Sequence, residues 1–322
     1  MTTVVMEWES RLGRRLRVRD LYILATVARV RSMAKAAREL RMSQPSVSEA
    51  IANLEHVLRV RLLDRSPRGV EPTNYANVIL KRSTAVFDEL KQGVRDIEFL
   101  ADPTTGTLNI GCPESIAATV LPYFAEHYVK KYPGVSLQIE DVPSPAIRSP
   151  ALRERKFDLI LARWPLPLAI DEQVDDVNID PILDDPLVVV AGMKSRWAQR
   201  RRKIEIAELA DEPWILSPPG TWNYEWLARE FKARGLGLPK VAISTFNVHL
   251  NAHFLRHGNF LTTYPRSWAL LNEFKVLPVK LPIQTWPLSV ITLKNRTPSA
   301  TVEGFTESAR EVAKAMAARL TK

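Results

Sequence analysis

The segment Gln44-Pro-Ser-Val-Ser-Glu-Ala-Ile-Ala-Asn53 carries polar chemistry on one side only. Val47, Ile51, Leu54 and Leu58 recur at intervals of 4, 3 and 4, which gives a helix over about 44–58 one apolar face. The opposite face presents Gln44, Ser46, Ser48, Glu49 and Asn53. Gln and Asn each hold a donor and an acceptor in one plane, a pair that matches the N6 and N7 edge of adenine. Glu49 would repel phosphate; it either accepts from a cytosine amine or stands in solvent. Around this segment the charge is one-sided. Residues 1–75 contain 14 Lys+Arg against 8 Asp+Glu, a surplus of +6 out of a net +9 for all 322 residues. All but one of those cations is arginine, whose rigid fork of donors suits phosphate oxygens and guanine edges.

The flanking elements must hold that face outward. Leu16, Leu21, Leu24, Val27 and Ala28 give a first amphipathic helix over about 16–30. Ser32 stands as N-cap before Met33–Leu40, where Ala34, Ala37 and Leu40 form a narrow stripe for close packing. Arg41-Met-Ser43 interrupts. Ser43 caps the next helix, and Pro45 falls in its first turn, where a missing N–H costs little. Two helices across a three-residue break form a helix-turn-helix over about 33–53, whose second helix enters a major groove. Two short apolar runs around Ser66-Pro-Arg-Gly69 read as a hairpin, with Arg65 and Arg68 near its tip, within reach of phosphate or minor groove. The expectation is a winged helix-turn-helix over 16–73, all-α apart from its small β-wing.

The runs Ser32-Met-Ala-Lys-Ala-Ala-Arg-Glu-Leu40, Met42-Ser-Gln-Pro-Ser-Val-Ser-Glu-Ala-Ile-Ala-Asn-Leu-Glu55 and Leu62-Leu-Asp-Arg-Ser-Pro-Arg-Gly-Val-Glu-Pro-Thr73 resemble the DNA-binding domain of LysR-type transcriptional regulators, almost without gaps over about 16–75. The resemblance implies that Ser43, Gln44, Pro45, Ser46, Ser48 and Asn53 face DNA. It puts Arg31, Arg65 and Arg68 near backbone or minor groove. With Ser32, Lys35 and Glu49 these form the candidate DNA-binding set. Ser32 and Ser43 serve equally well as caps. Asn77 stands where the family commonly has glycine, which puts the close packing of the next helix in question.

That next helix covers about 74–100. Ile79, Ser83, Val86, Leu90, Gly93 and Ile97 follow at spacings of 4 and 3, the seam of a pairing helix, weakened by Ser83 and Gly93. A pair would place two heads on one duplex with two-fold-related half-sites; the alternative is a helix lying on its own domain. The resemblance implies a homodimer, commonly assembled to a homotetramer, with RNA polymerase as a further partner. Asp102-Pro-Thr-Thr-Gly106 then breaks the helix.

From residue 107 strands and helices alternate, which predicts a mostly parallel sheet with both faces covered. The resemblance implies a two-lobed, periplasmic-binding-protein-like α/β effector domain over 107–322. One lobe takes about 107–175 and 285–322, the other about 176–284, with crossings near 163–186 and 281–288. Ligands favour places where strand ends meet helix starts. Ser115, Arg163, Thr221, His249 and Thr263 are the candidate polar contacts there, with Trp164 as a stacking wall. Together they suggest a small organic acid as effector. Each has a plainer role open to it: Ser115 and Thr221 as caps, Arg163 paired with an acidic neighbour, Trp164 in the core. The whole domain could also serve assembly alone, independent of any ligand.

Other chemistries find little support. His249, His253 and His257 share a helical face, but three in a row span about 12 Å, so one ion could take only two. No metal and no cofactor beyond the effector is expected. Cys112 is the single cysteine, so an internal disulfide is excluded and its role is packing or redox. The sequence contains no G-x-S-x-G, G-x-x-x-x-G-K-[ST] or H-E-x-x-H, and a non-enzymatic role is expected. No apolar run approaches about 18 residues, and Glu7, Trp8 and Glu9 precede arginines rather than a signal-peptide core. A cytoplasmic protein without membrane contact is the expectation.

Overall fold

The computed structural model describes residues 15–66, 69–102, 105–143, 149–163, 175–279, 281 and 287–320. They form two compact units that divide between Gln92 and Gly93.

In the first unit, α1 (Val18–Val30), α2 (Met33–Glu39) and α3 (Gln44–Leu58) enclose a core of Leu24, Val27, Ala36, Val47, Ile51 and Leu54. The small residues of α2 let it approach α1 and α3 closely, as expected, but the inward stripe is Met33, Ala36 and Ala37, with Ala34 exposed. Ser32 Oγ accepts from Lys35 N–H and Ser43 Oγ from Ser46 N–H, so both serines cap their helices. Three junctions of the head take left-handed backbone at arginine: Arg31 (φ 54°), Arg41 (φ 53°) and Arg59 (φ 56°). Strands β1 (Leu63–Ser66) and β2 (Gly69–Pro72) pair antiparallel as the wing. Gly69 has φ 128°, and a Cβ there would meet the Arg31 carbonyl oxygen at 2.9 Å, so the turn requires glycine. The wing is tied to α3 by one carboxylate: Glu55 Oε1 accepts from the N–H groups of Leu62 (2.7 Å) and Leu63 (3.2 Å).

Helix α4 runs Asn74–Ala101, its start capped by Thr73 Oγ1 on Ala76 N–H. The expected seam divides. Ala76, Ile79, Leu80, Ser83 and Phe87 turn toward the head core, and Ser83 Oγ donates to the Ile79 carbonyl. Val86, Leu90, Val94 and Ile97 remain exposed as a separate stripe.

The second unit holds two five-stranded sheets. Lobe 1 has the order β4 (Val135–Asp141), β3 (Gly106–Cys112), β5 (Leu159–Arg163), β12 (Leu288–Leu293), β6 (Val177–Leu183). Lobe 2 has the order β11 (Lys275–Val276), β7 (Leu187–Ala191), β10 (Leu261–Pro265), β8 (Trp214–Leu216), β9 (Val241–Ser244). Both sheets are mixed rather than mostly parallel: β12 runs antiparallel to β5 and β6, and β7 antiparallel to β10 and β11. The first crossing is Asp184–Pro186. The boundary expected at 175–176 is therefore corrected, because Val177–Leu183 pairs with β12 and completes lobe 1. Pro181 is tolerated there because β6 is an edge strand.

Helices α5 (Glu114–Ala117), α6 (Leu121–Lys131), α7 (Pro150–Arg153) and α11 (Ala300–Leu320) belong to lobe 1; α8 (Trp222–Lys232), α9 (Val248–His257) and α10 (Arg266–Leu271) belong to lobe 2. Leu159 and Leu161 of β5 face one core layer with Phe124, Tyr128 and Phe305, while Ile160 and Ala162 face another with Phe157 and Ile291. Both faces are thus covered, as near-continuous apolar strands require. The last turn of α4 joins lobe 1: Phe99 packs 5.9 Å from Tyr132, and Asp96 accepts from Ala300 N–H at the start of α11.

Asp158, buried in lobe 1, accepts from Asn109 N–H (2.8 Å), Asn109 Nδ2 (2.8 Å) and the buried Arg296 (2.7 Å). Removing one partner of such a pair leaves an uncompensated charge. Asp158→Ala is expected to destabilise this unit by about 3–5 kcal/mol, measured by denaturant unfolding; an unchanged midpoint would show that the pair holds nothing in place.

Candidate functional site

The head exposes the polar side of α3. Gln44, Pro45 and Glu49 are exposed on the first turns of α3, and Ser46 and Ser48 are half-buried beside them. Ser43 Oγ and Ser46 Oγ lie 2.8 Å apart, so these hydroxyls hold each other at the helix start. Asn53 has a second occupation that the spacing did not disclose. Its Nδ2 donates to Asp20 Oδ2 at 3.1 Å, tying α3 to α1, and its side chain is only partly exposed. Lys35 and Arg31 are exposed, Arg31 with a long 3.9 Å approach to Glu71. Arg65 lies on β1 opposite Val70. Arg68 lies outside the described residues, as does Trp164.

The second candidate is a cavity of about 390 Å³ between the two lobes. Of the expected effector contacts, Ser115, Arg163 and Thr221 line it. Thr221 precedes α8 but does not cap it, since its Oγ1 donates to the Pro218 carbonyl. His249 and Thr263 do not belong to the lining. His249 is 84% exposed on α9, its Nε2 3.8 Å from Glu114. Thr263 is buried within β10, where the alternation of a strand turns neighbouring side chains to opposite faces. Residues the sequence did not flag complete the walls: Glu114, Asp141, Leu187, Trp222, Phe246 and Tyr264. Trp222 also packs against apolar side chains of both lobes. Burial and the nearby Glu114 charge both push the Tyr264 hydroxyl pKa upward.

Arg163 takes the plainer role open to it. Its guanidinium pairs with Asp185, which is fully buried in the crossing. Asp185 also accepts from Ser267 N–H (2.8 Å) and Ser267 Oγ (2.6 Å) of α10. One carboxylate thus binds the end of β5 in lobe 1 to the start of α10 in lobe 2.

His253 and His257 have ring centroids 4.7 Å apart; among the described residues no three His, Cys, Asp or Glu side chains converge as a metal site. A second hollow, about 320 Å³, is lined by Arg196, Arg200 and Arg202, of which Arg196 pairs with Glu212 and Arg202 with Glu208. Cys112 is buried at the end of β3, and burial with the Asp141 charge pushes its pKa up to about 12.

Two outcomes follow. At pH 8 a thiol of that pKa is about one part in ten thousand thiolate, so Cys112 should resist iodoacetamide in the folded protein and react after unfolding; rapid native labelling would contradict the burial. Asp185→Ala strands the Arg163 charge and should cost about 3–5 kcal/mol. Melting indistinguishable from the parent would show that the crossing does not depend on this pair.

Comparison with known proteins agrees with this geometry. Residues 18–77 match the family model for the bacterial regulatory helix-turn-helix protein, lysR family, and residues 101–314 match the LysR substrate binding domain. The chain is 24% identical to the HTH-type transcriptional regulator TdcA of Escherichia coli K12 over 284 residues, 87% of this chain and 88% of that one. A full-length OxyR variant from Pseudomonas aeruginosa shares the fold with a TM-score of 0.61 at 19% identity, covering 92% of this chain and 95% of that one. Full-length CbnR, solved with its target DNA, gives 0.52 at 20% identity, covering 92% and 100%. A winged head and a two-lobed domain in this order, each matched by its own family model, make the chain a LysR-type DNA-binding transcriptional regulator with a substrate-binding domain.

Proposed function

We propose that this regulator reads duplex DNA with the first turns of α3 and is controlled by a small organic molecule in the interlobe cavity. The observation that carries the reading is the placement of Gln44. It is exposed on the first turn of a capped helix, in the position from which recognition helices touch base edges. The arginines of the head hold phosphates and set register; α3 supplies sequence preference. Ser32, Ser43 and Lys35 would serve the backbone side, and Asn53 would act through its hold on Asp20 as much as through DNA.

The exposed stripe Val86, Leu90, Val94 and Ile97 supports pairing through α4. A homodimer, extended to a homotetramer, would set two heads on two-fold-related half-sites. Ligand binding would shift lobe closure and with it the assembly, a coupling typically worth about 1–3 kcal/mol. Work in the cytoplasm, contact with RNA polymerase and the absence of catalysis belong to the same reading. The expectation of an organic acid drew on Ser115, Arg163, Thr221 and His249 together; the charge of Arg163 is met by Asp185.

Gln44→Ala should weaken specific binding by about 1–3 kcal/mol and relax base preference at one position, with the salt slope unchanged. Fluorescence anisotropy on an operator found by genome-wide site mapping measures both; unaltered affinity and preference would remove Gln44 from the reading surface. Leu90→Asp with Ile97→Asp should yield monomers by light scattering and lose tight binding to paired half-sites, while a persisting dimer would place the interface elsewhere.

A further inference from the structure

We infer that the molecule held between the lobes carries a positive charge, an ammonium or guanidinium group, on an apolar body. This rests on the effector reading of the cavity given above and specifies its ligand class. The side chains among the described lining residues that carry charge near neutral pH are Glu114, Asp141 and Arg163. Arg163 contributes little positive charge to the space. Asp185 neutralises its guanidinium through Nη2, while Arg163 Nε and Nη1 are buried without a hydrogen-bond partner among the described residues, so the pair brings donors but no net charge.

The two carboxylates stand differently. Asp141 is exposed at the end of β4 and has no cationic partner among the described residues that a hydrogen bond or ion pair identifies. Glu114 accepts a long 3.4 Å bond from Val248 N–H, and His249 stands 3.8 Å away without entering the lining. A carboxylate ligand would enter against both acidic groups, and the cation described in the lining, Arg163, is already neutralised by Asp185. A cation would find two acceptors. It would also find aromatic side chains: Trp222, Phe246 and Tyr264 line the same space, and aromatic rings attract cations. Leu187 and Val142 receive the apolar body, and about 390 Å³ suits a molecule of amino-acid or small aromatic-amine size. A zwitterion is compatible, provided that its cationic end faces Glu114 and Asp141.

Three probes share one ring and differ in charge: benzylamine, benzoate and benzyl alcohol. Thermal shift and calorimetry on the full-length protein, and on Glu114→Gln with Asp141→Asn, separate the cases. The expected result is stabilisation by benzylamine and none by benzoate. In the double variant the amine's affinity falls at least about tenfold while that of benzyl alcohol holds. If the double variant without ligand melts early, Asp141→Asn alone carries the comparison, because that side chain is exposed. Benzoate stabilising as well as benzylamine, or amine binding indifferent to the substitutions, overturns the assignment of charge and leaves the cavity as an effector site. Silence toward all three probes and toward a panel of metabolite amines and acids overturns the effector reading itself, and this inference with it.

Discussion

A carboxylate withdrawn from water must find its donors inside the protein, and Asp185 finds them on both sides of a lobe crossing. Arg163 reaches it from the end of β5, and Ser267 gives it two hydrogen bonds from the start of α10. Ion pairs of this kind add modestly to stability, because desolvation consumes much of their attraction. Their geometry is demanding, however. The carboxylate cannot leave one partner without stranding it, so the end of one sheet and the start of a helix on the other sheet are fixed in mutual position. Tyr264 and Pro265, immediately before α10, and Arg163 itself then border the cavity. The shape of the binding space follows from satisfying one buried charge.

The same economy of contacts operates at the base of lobe 1. The last turn of α4 supplies Phe99 to the core beside Tyr132, Asp96 to the start of α11, and Arg95 at 3.9 Å from Asp158. Asp158 in turn anchors Asn109 on β3 and Arg296 after β12. The end of the long helix is therefore part of lobe 1's packing. A change within that lobe has a short physical route, through packed and hydrogen-bonded groups, into the helix that carries the exposed apolar stripe.

Local signals were readable from the sequence, and distant partners were not. Ser32, Ser43 and Pro45 announce helix starts by chemistry confined to one turn, and the bounds of α3 agree with the expectation. Ala34 misled because a stripe of alanines does not say which neighbour it faces; Met33 and Ala36 won the interior by packing against α1 and α3. Asn53 with Asp20 is a contact across 33 residues, and no spacing rule reaches it. Strand β6 lies within the stretch expected as a crossing near 163–186; Pro181 suits a strand only at a sheet edge, and the sequence does not disclose that edge. That omission displaced the lobe boundary. In the cleft, Ser115 and Thr221 line the cavity at strand-to-helix junctions and Arg163 lines it at the end of β5, places where backbone topology gathers ligand-facing groups. Thr263 and His249 lie outside the lining for want of one datum, the face toward which each element turns its side chains. Asp185, Glu114 and Asp141 carry no local signature at all.

The arginines at φ 54°, 53° and 56° have a consequence for what substitution there can do to the head. Left-handed backbone is disfavoured for residues with a Cβ by roughly 1–2 kcal/mol, and glycine would relieve it. Glycine would also delete a cation at Arg31, Arg41 or Arg59, in a domain whose positive charge comes almost entirely from arginine. Thermal robustness and polyanion affinity are therefore opposed at these three junctions. A glycine at any of the three would be expected to raise the melting temperature of the head and to weaken its hold on a polyanion.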